Sequence, residues 1–206
     1  HEAAEACYQL FTIARFAADS EPLLGFDLSA QIREWGYELI SRILRLNVDN
    51  PEIVTKLNQV LENASHADLA AALRQEYHYV TVQRPVGFDG PKLSPGAKAK
   101  AIELLIAVQE AAKQSEPAAR RRIWELTKSP VKRNESDETF KNQLATLVRS
   151  SYEAGIHASA SHACIKASIT LAKMSANNQM SSDKDYADTI RSIRNPYDGN
   201  ALEFVR

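Results

Sequence analysis

Apolar residues recur at three- and four-residue steps along most of the chain, the spacing of one helix face turned toward a core. Cys7, Leu10, Phe11, Ala14 and Ala17 form the first such stripe, in a helix predicted over 2–18. In DSEPLLGFD, Pro22 and Gly25 read as breakers of a connection. A second helix is predicted over roughly 28–47, with Ile32, Trp35, Leu39, Ile40, Ile43 and Leu46 as its apolar face. Asn50 is a good N-cap and Pro51 suits the first helical position, so a third helix starts there and runs to 64. It buries Ile53, Val54, Leu57, Val60 and Leu61. Ser65 and Asp68 resemble a capping box for a fourth helix over 66–79.

Residues 80–94, VTVQRPVGFDGPKLS, break the helical period. Their VTV has the composition of a short strand, but a lone strand has no sheet to join. Ser94 and Pro95 start a fifth helix, 95–114, with Ile102, Leu105, Ile106 and Gln109 on one side. Ser115 caps a sixth, 116–128, carrying Ile123, Trp124 and Leu126. Ser136 opens the longest, 137 to about 176, lined in its first half by Phe140, Leu144, Leu147, Val148, Tyr152 and Ile156. From Ala154 onward Ala and Ser dominate, which lets neighbouring backbones approach closely and suits a central helix. A short helix with Tyr186, Ile190 and Ile193 follows Ser182. The expected fold is all-α: a bundle of about eight helices around the long 137–176 helix, in a single domain over 1–206. The 80–94 loop is the best candidate for a subdivision.

Composition agrees with this pattern. Seven glycines in 206 residues are too few for a turn-rich β fold. A net charge of −1 excludes an overall basic protein, so any polyanion site must be a local patch. Cys7 and Cys164 fit no CxxC pattern and read as two reduced, buried thiols, which places the chain in the cytoplasm. No run of 18 apolar residues exists.

Candidate chemistry is sparse. Glu153, His157 and Cys164 recur on one helix face but spread over about 16 Å of axis at ~1.5 Å per residue, too far for one ion. His162 points elsewhere, and His66 and His78 sit near helix ends. There is no HExxH, GxSxG or GxxxxGK[ST]. No enzyme activity, metal, cofactor or small-molecule substrate is expected. RRRIWELTKSPVKRNESDETF concentrates cations at Arg120, Arg121, Arg122, Lys128, Lys132 and Arg133. The three consecutive arginines fan across about 200° of a helix at 3.6 residues per turn. Cations at this helix end, followed by Glu135, Asp137 and Glu138 at the next start, match helix-dipole electrostatics, so a solvated surface is one reading. A patch for anionic lipid, a protein partner or nucleic acid is the other.

Several of these segments, in order, resemble the fungal HeLo domain, also called the prion-inhibition and propagation domain. RRRIWEL followed by a polar link and FKNQLATLV is similar to a HeLo signature at Arg121, Arg122, Trp124, Leu126, Phe140, Leu144 and Leu147. QIREWG resembles an Arg-Trp-Gly helix end at Arg33, Trp35 and Gly36, with Glu34 intruding. LRQEYHY resembles a basic-aromatic end at Arg74 and Tyr77, without the glycine that often follows. The likeness covers about 7–150. It implies a cell-death or heterokaryon-incompatibility module that a partner triggers to oligomerise, release its first helix and disturb a membrane. In that reading Trp35 and Trp124 are core anchors, and the 120–133 patch touches anionic headgroups. A helical protein–protein adaptor without membrane activity and a nucleic-acid binder through 120–133 stand as alternatives.

Overall fold

The computed structural model describes residues 2–20, 22–64, 68–82, 94–114, 116–128, 136–176, 183–193, 195, 200 and 201. The expected all-α class is borne out. The elements are α1 (Glu2–Ser20), α2 (Pro22–Leu46), α3 (Pro51–Asn63), α4 (Leu69–Val82), α5 (Pro95–Ala111), α6 (Glu116–Thr127), α7 (Ser136–Ala176) and α8 (Asp183–Arg191).

Local chemistry explains most boundaries. Asn50 Oδ1 accepts from the backbone N–H groups of Glu52 and Ile53, at 3.2 and 3.3 Å, and caps α3 with Pro51 behind it. Ser94 Oγ accepts from Ala97 N–H at 3.0 Å and starts α5 in the same way. Asp68 Oδ1 accepts from Ala70 N–H at 2.8 Å, so α4 begins at Leu69 and not at 66. The other half of the expected capping box, Ser65, lies outside the described residues, as does Ser115. VTV is helical, not extended: Thr81 Oγ1 donates to the Tyr77 carbonyl at 2.9 Å and α4 runs through Val82.

The expected connection around Pro22 and Gly25 is overturned. Only position 21 separates α1 from α2, and Pro22 opens α2. Proline lacks an N–H that the first helical position does not need, so there it starts a helix and does not break one. Ser20 Oγ donates to the Ala17 carbonyl at 2.7 Å and closes α1.

Two apolar cores lie along α7. The first gathers Leu23 and Phe26 of α2 with Leu73, Leu105, Val108, Ile123, Val148 and Tyr152 of α4 to α7. The second gathers Cys7 and Phe11 of α1, Tyr37 and Ile40 of α2, Val54, Leu57 and Leu61 of α3, and Ile165 and Ile169 of α7. Helices α2 and α7 serve both. Their junction is pinned by Ser151 Oγ, which donates to the Leu23 carbonyl at 3.1 Å in a buried position. The face expected for α5 is rotated: Ala97, Ala101, Leu104, Leu105 and Val108 are buried, and Ile106 is exposed.

Candidate functional site

The α1–α2–α7 seam depends on small residues. A Cβ on Gly25 would sit 2.3 Å from the Ala17 carbonyl oxygen, so α1 and α2 touch backbone to backbone there. A Cβ on Gly36 would meet the Phe11 ring at 2.9 Å, and one on Gly155 would meet the Phe26 ring at 3.0 Å. Tyr37 lies between helices: its ring centroid is 5.2 Å from that of Phe11 on α1 and 5.8 Å from that of His162 on α7, the latter edge-on.

Arg33 is the unusual occupant of this seam. It is only 3% exposed, and Nε donates to Ser29 Oγ at 3.2 Å. Among the described residues its Nη1 and the Tyr37 hydroxyl have no hydrogen bond of normal geometry, although the two side chains interact with each other. Burial lowers the Arg33 pKa, against the opposing pull of the neighbouring Tyr37. Burial also pushes the Tyr37 phenol up to about 12 and the Cys7 thiol up to about 11.

The structure divides the residues of the HeLo-like signature. Arg33 and Gly36 are buried, whereas Trp35 is 59% exposed and is no core anchor. Two residues advance a helix by about 200°, so a buried Arg33 sends Trp35 to the opposite side. The true buried stripe is Leu23, Phe26, Ala30, Arg33, Tyr37, Ile40 and Leu44, and Leu46 is exposed. Hydropathy hides such a stripe because its midpoint is an arginine. Trp124 is likewise 51% exposed and no core anchor; Arg149 of α7 lies over its ring at 4.7 Å. Leu126, Phe140 and Tyr77 pack partly buried against the first core, and Arg74 is exposed, with Asp68 at 3.7 Å.

The basic run is partly consumed. Arg120 grips Glu153 with two hydrogen bonds, Nε at 3.1 Å and Nη2 at 2.8 Å, and ties α6 to α7. Arg122 pairs with Glu125 on the same helix at 3.3 Å. Arg121 is exposed and three residues before Trp124, so the two share a face of α6, and Lys128 is exposed just beyond the helix end. Lys132 and Arg133 lie outside the described residues. What remains is an aromatic ring flanked by Arg121, Lys128 and Arg149. Arg149 escaped the sequence reading because it comes from another helix.

The candidate catalytic cluster does not assemble. Glu153 engages Arg120, and His157 and Cys164 are exposed, so Cys164 is not the buried thiol expected. Cys7 is buried as expected, and both cysteines are free. Among the described residues no group of three His, Cys, Asp or Glu side chains is placed to hold a metal ion. No helix among them is long and apolar enough to cross a membrane. The chain matches no family model, no curated protein and no solved structure.

Proposed function

We propose that the chain is a non-enzymatic, HeLo-like helical module of the cytoplasm that oligomerises and acts on a membrane when a protein partner triggers it. The observation that carries the proposal is the two-sidedness of α1. Cys7, Phe11 and Ala14 face the core, while Tyr8, Ile13 and Phe16 stand open on other sides of the helix. Large apolar side chains on the other faces of such a helix are left for a second apolar environment. A helix that leaves the bundle for an apolar phase uses both sets. Its docking site is also compromised, because the neighbouring α2 surface buries a guanidinium with one nitrogen unpartnered among the described residues. The Trp124, Arg121, Lys128 and Arg149 cluster then supplies the first contact with anionic headgroups, at about 1 kcal/mol per cation near such a surface.

The test is dye release from vesicles containing phosphatidylserine, with the chain fused to an inducible dimerising domain. Leakage is expected on induction and is expected to fall at least about tenfold in Phe16→Glu, an exposed position where the fold is retained. Arg121→Glu with Lys128→Glu is expected to weaken vesicle binding by about tenfold or more. Leakage absent under all conditions, with a stable protein complex formed instead, would favour the adaptor reading.

A further inference from the structure

The outer side of the α1–α2 hairpin carries an apolar strip that the membrane proposal does not need in the resting protein. On α2, Leu24, Leu28, Gln31 and Trp35 follow one another at steps of four, three and four, and all four are exposed. That spacing averages about 3.7 residues, close to the 3.6 of an α-helix, so the four side chains share one face of α2. On α1, Ile13 and Phe16 are exposed on one face. Ala17 and Gly25 mark the line where the two helices touch. Ile13 lies one turn before Ala17, and Leu28 lies three residues after Gly25, so both border that line on its solvent side. The strip is therefore continuous across both helices. Gln9, Thr12 and Gln31 are its uncharged polar residues; Gln31 Nε2 donates to Asp27 Oδ2 at 3.2 Å, and the Arg15 guanidinium lies 5.8 Å from the Phe16 ring centroid. Exposed aromatic residues such as Phe16 and Trp35 are enriched in interfaces relative to ordinary surface.

We infer that this strip, formed by Ile13, Phe16, Leu24, Leu28 and Trp35, is a self-association surface that pairs with a second copy of the chain across a two-fold axis. Area favours this occupant. The five side chains leave roughly 500 Å² open, and pairing like with like buries about 1,000 Å² from them alone, the lower bound for a specific interface. Geometry agrees: an antiparallel pairing centred on Gln31 sets Leu28 against Trp35 across the axis, so a self-complementary patch results. Around the strip stand Glu5, Asp19, Asp27 and Glu34, against Arg15, while Glu38 and Arg42 are hydrogen-bonded to each other. Acidic rims repel a second copy and an anionic bilayer alike, and salt screens both repulsions. Dimerisation thus strengthens as ionic strength rises, the opposite of headgroup binding by Arg121 and Lys128. The inference does not rest on the membrane reading, since it concerns the untriggered chain.

Sedimentation equilibrium of the intact chain tests it, with Trp35 emission in a Trp124→Phe variant as a second readout. The expected result is a monomer–dimer equilibrium that tightens with added salt, with emission shifting to the blue as dimer forms. Leu28→Glu and Trp35→Glu, both at exposed positions, are expected to weaken the dimer at least about a hundredfold while far-ultraviolet dichroism stays unchanged. Trp124→Glu is expected to leave it intact. A chain that is monomeric at every concentration overturns the inference. So does a dimer indifferent to Leu28→Glu and Trp35→Glu, or flotation of the untriggered chain with neutral vesicles through the same residues.

Discussion

A buried guanidinium needs several acceptors, and among the described residues Arg33 has the Ser29 hydroxyl, with the Tyr37 side chain beside it. Removing a charge from water without a partner costs more than the single hydrogen bond returns. Arg33→Met keeps the length and apolar stem of the side chain and removes the charge. It is expected to raise the unfolding free energy by about 1–3 kcal/mol, measured by urea denaturation. A loss of stability of similar size would mean that the charge is well solvated in the folded chain. Residues of this kind mark the limit of pattern reading. Periodicity places Cys7, Phe11, Val54, Leu57 and Leu61 correctly because each is apolar and faces the core. It misplaces Trp35 and Trp124 because size and hydropathy suggest burial, whereas a helix face is fixed by all its neighbours at once.

At the scale of elements, the α1–α2 hairpin is the part that sequence reading missed and the proposed function needs. Pro22 and Gly25 look like breakers in isolation. In the folded chain Pro22 is a first-turn residue, and Gly25 lets the Ala17 carbonyl approach α2 to a distance no side chain permits. Helix propensity alone says that Gly25→Ala stabilises α2 by about 1 kcal/mol. The added methyl meets backbone, however, and backbone yields only by shifting a whole helix. Gly25→Ala is therefore expected to destabilise the chain by about 1–3 kcal/mol in thermal or urea unfolding, the cost of overpacking a tight contact. A stabilised variant would show that α1 and α2 have room to separate at that point. The caps at Asn50 and Ser94, by contrast, were legible, because a capping side chain acts within three residues of its own backbone.

At the scale of the molecule, the long α7 connects a core built on α4, α5 and α6 to one built on α1 and α3. The all-α class follows from helical spacing and scarce glycine. The cluster around Trp124 does not, because Arg149 arrives from a helix distant in sequence, and no local pattern records that approach. The central claim is that α1 leaves the bundle while the rest stays folded, and Cys7 reports on it directly. Its thiol is fully buried on α1, and burial raises its pKa from 9.0 to about 11. While α1 is docked, burial shields the thiol and makes its thiolate about a hundredfold scarcer, so alkylation runs mainly through α1-open molecules. In a Cys164→Ser variant, the alkylation rate of Cys7 gives the free energy of that opening, to be compared with global unfolding in urea. The expected opening free energy lies at least about 2 kcal/mol below the global value, a roughly thirtyfold excess of α1-open molecules over unfolded ones. Equal values would contradict the account, because α1 would then come away only when the whole bundle unfolds.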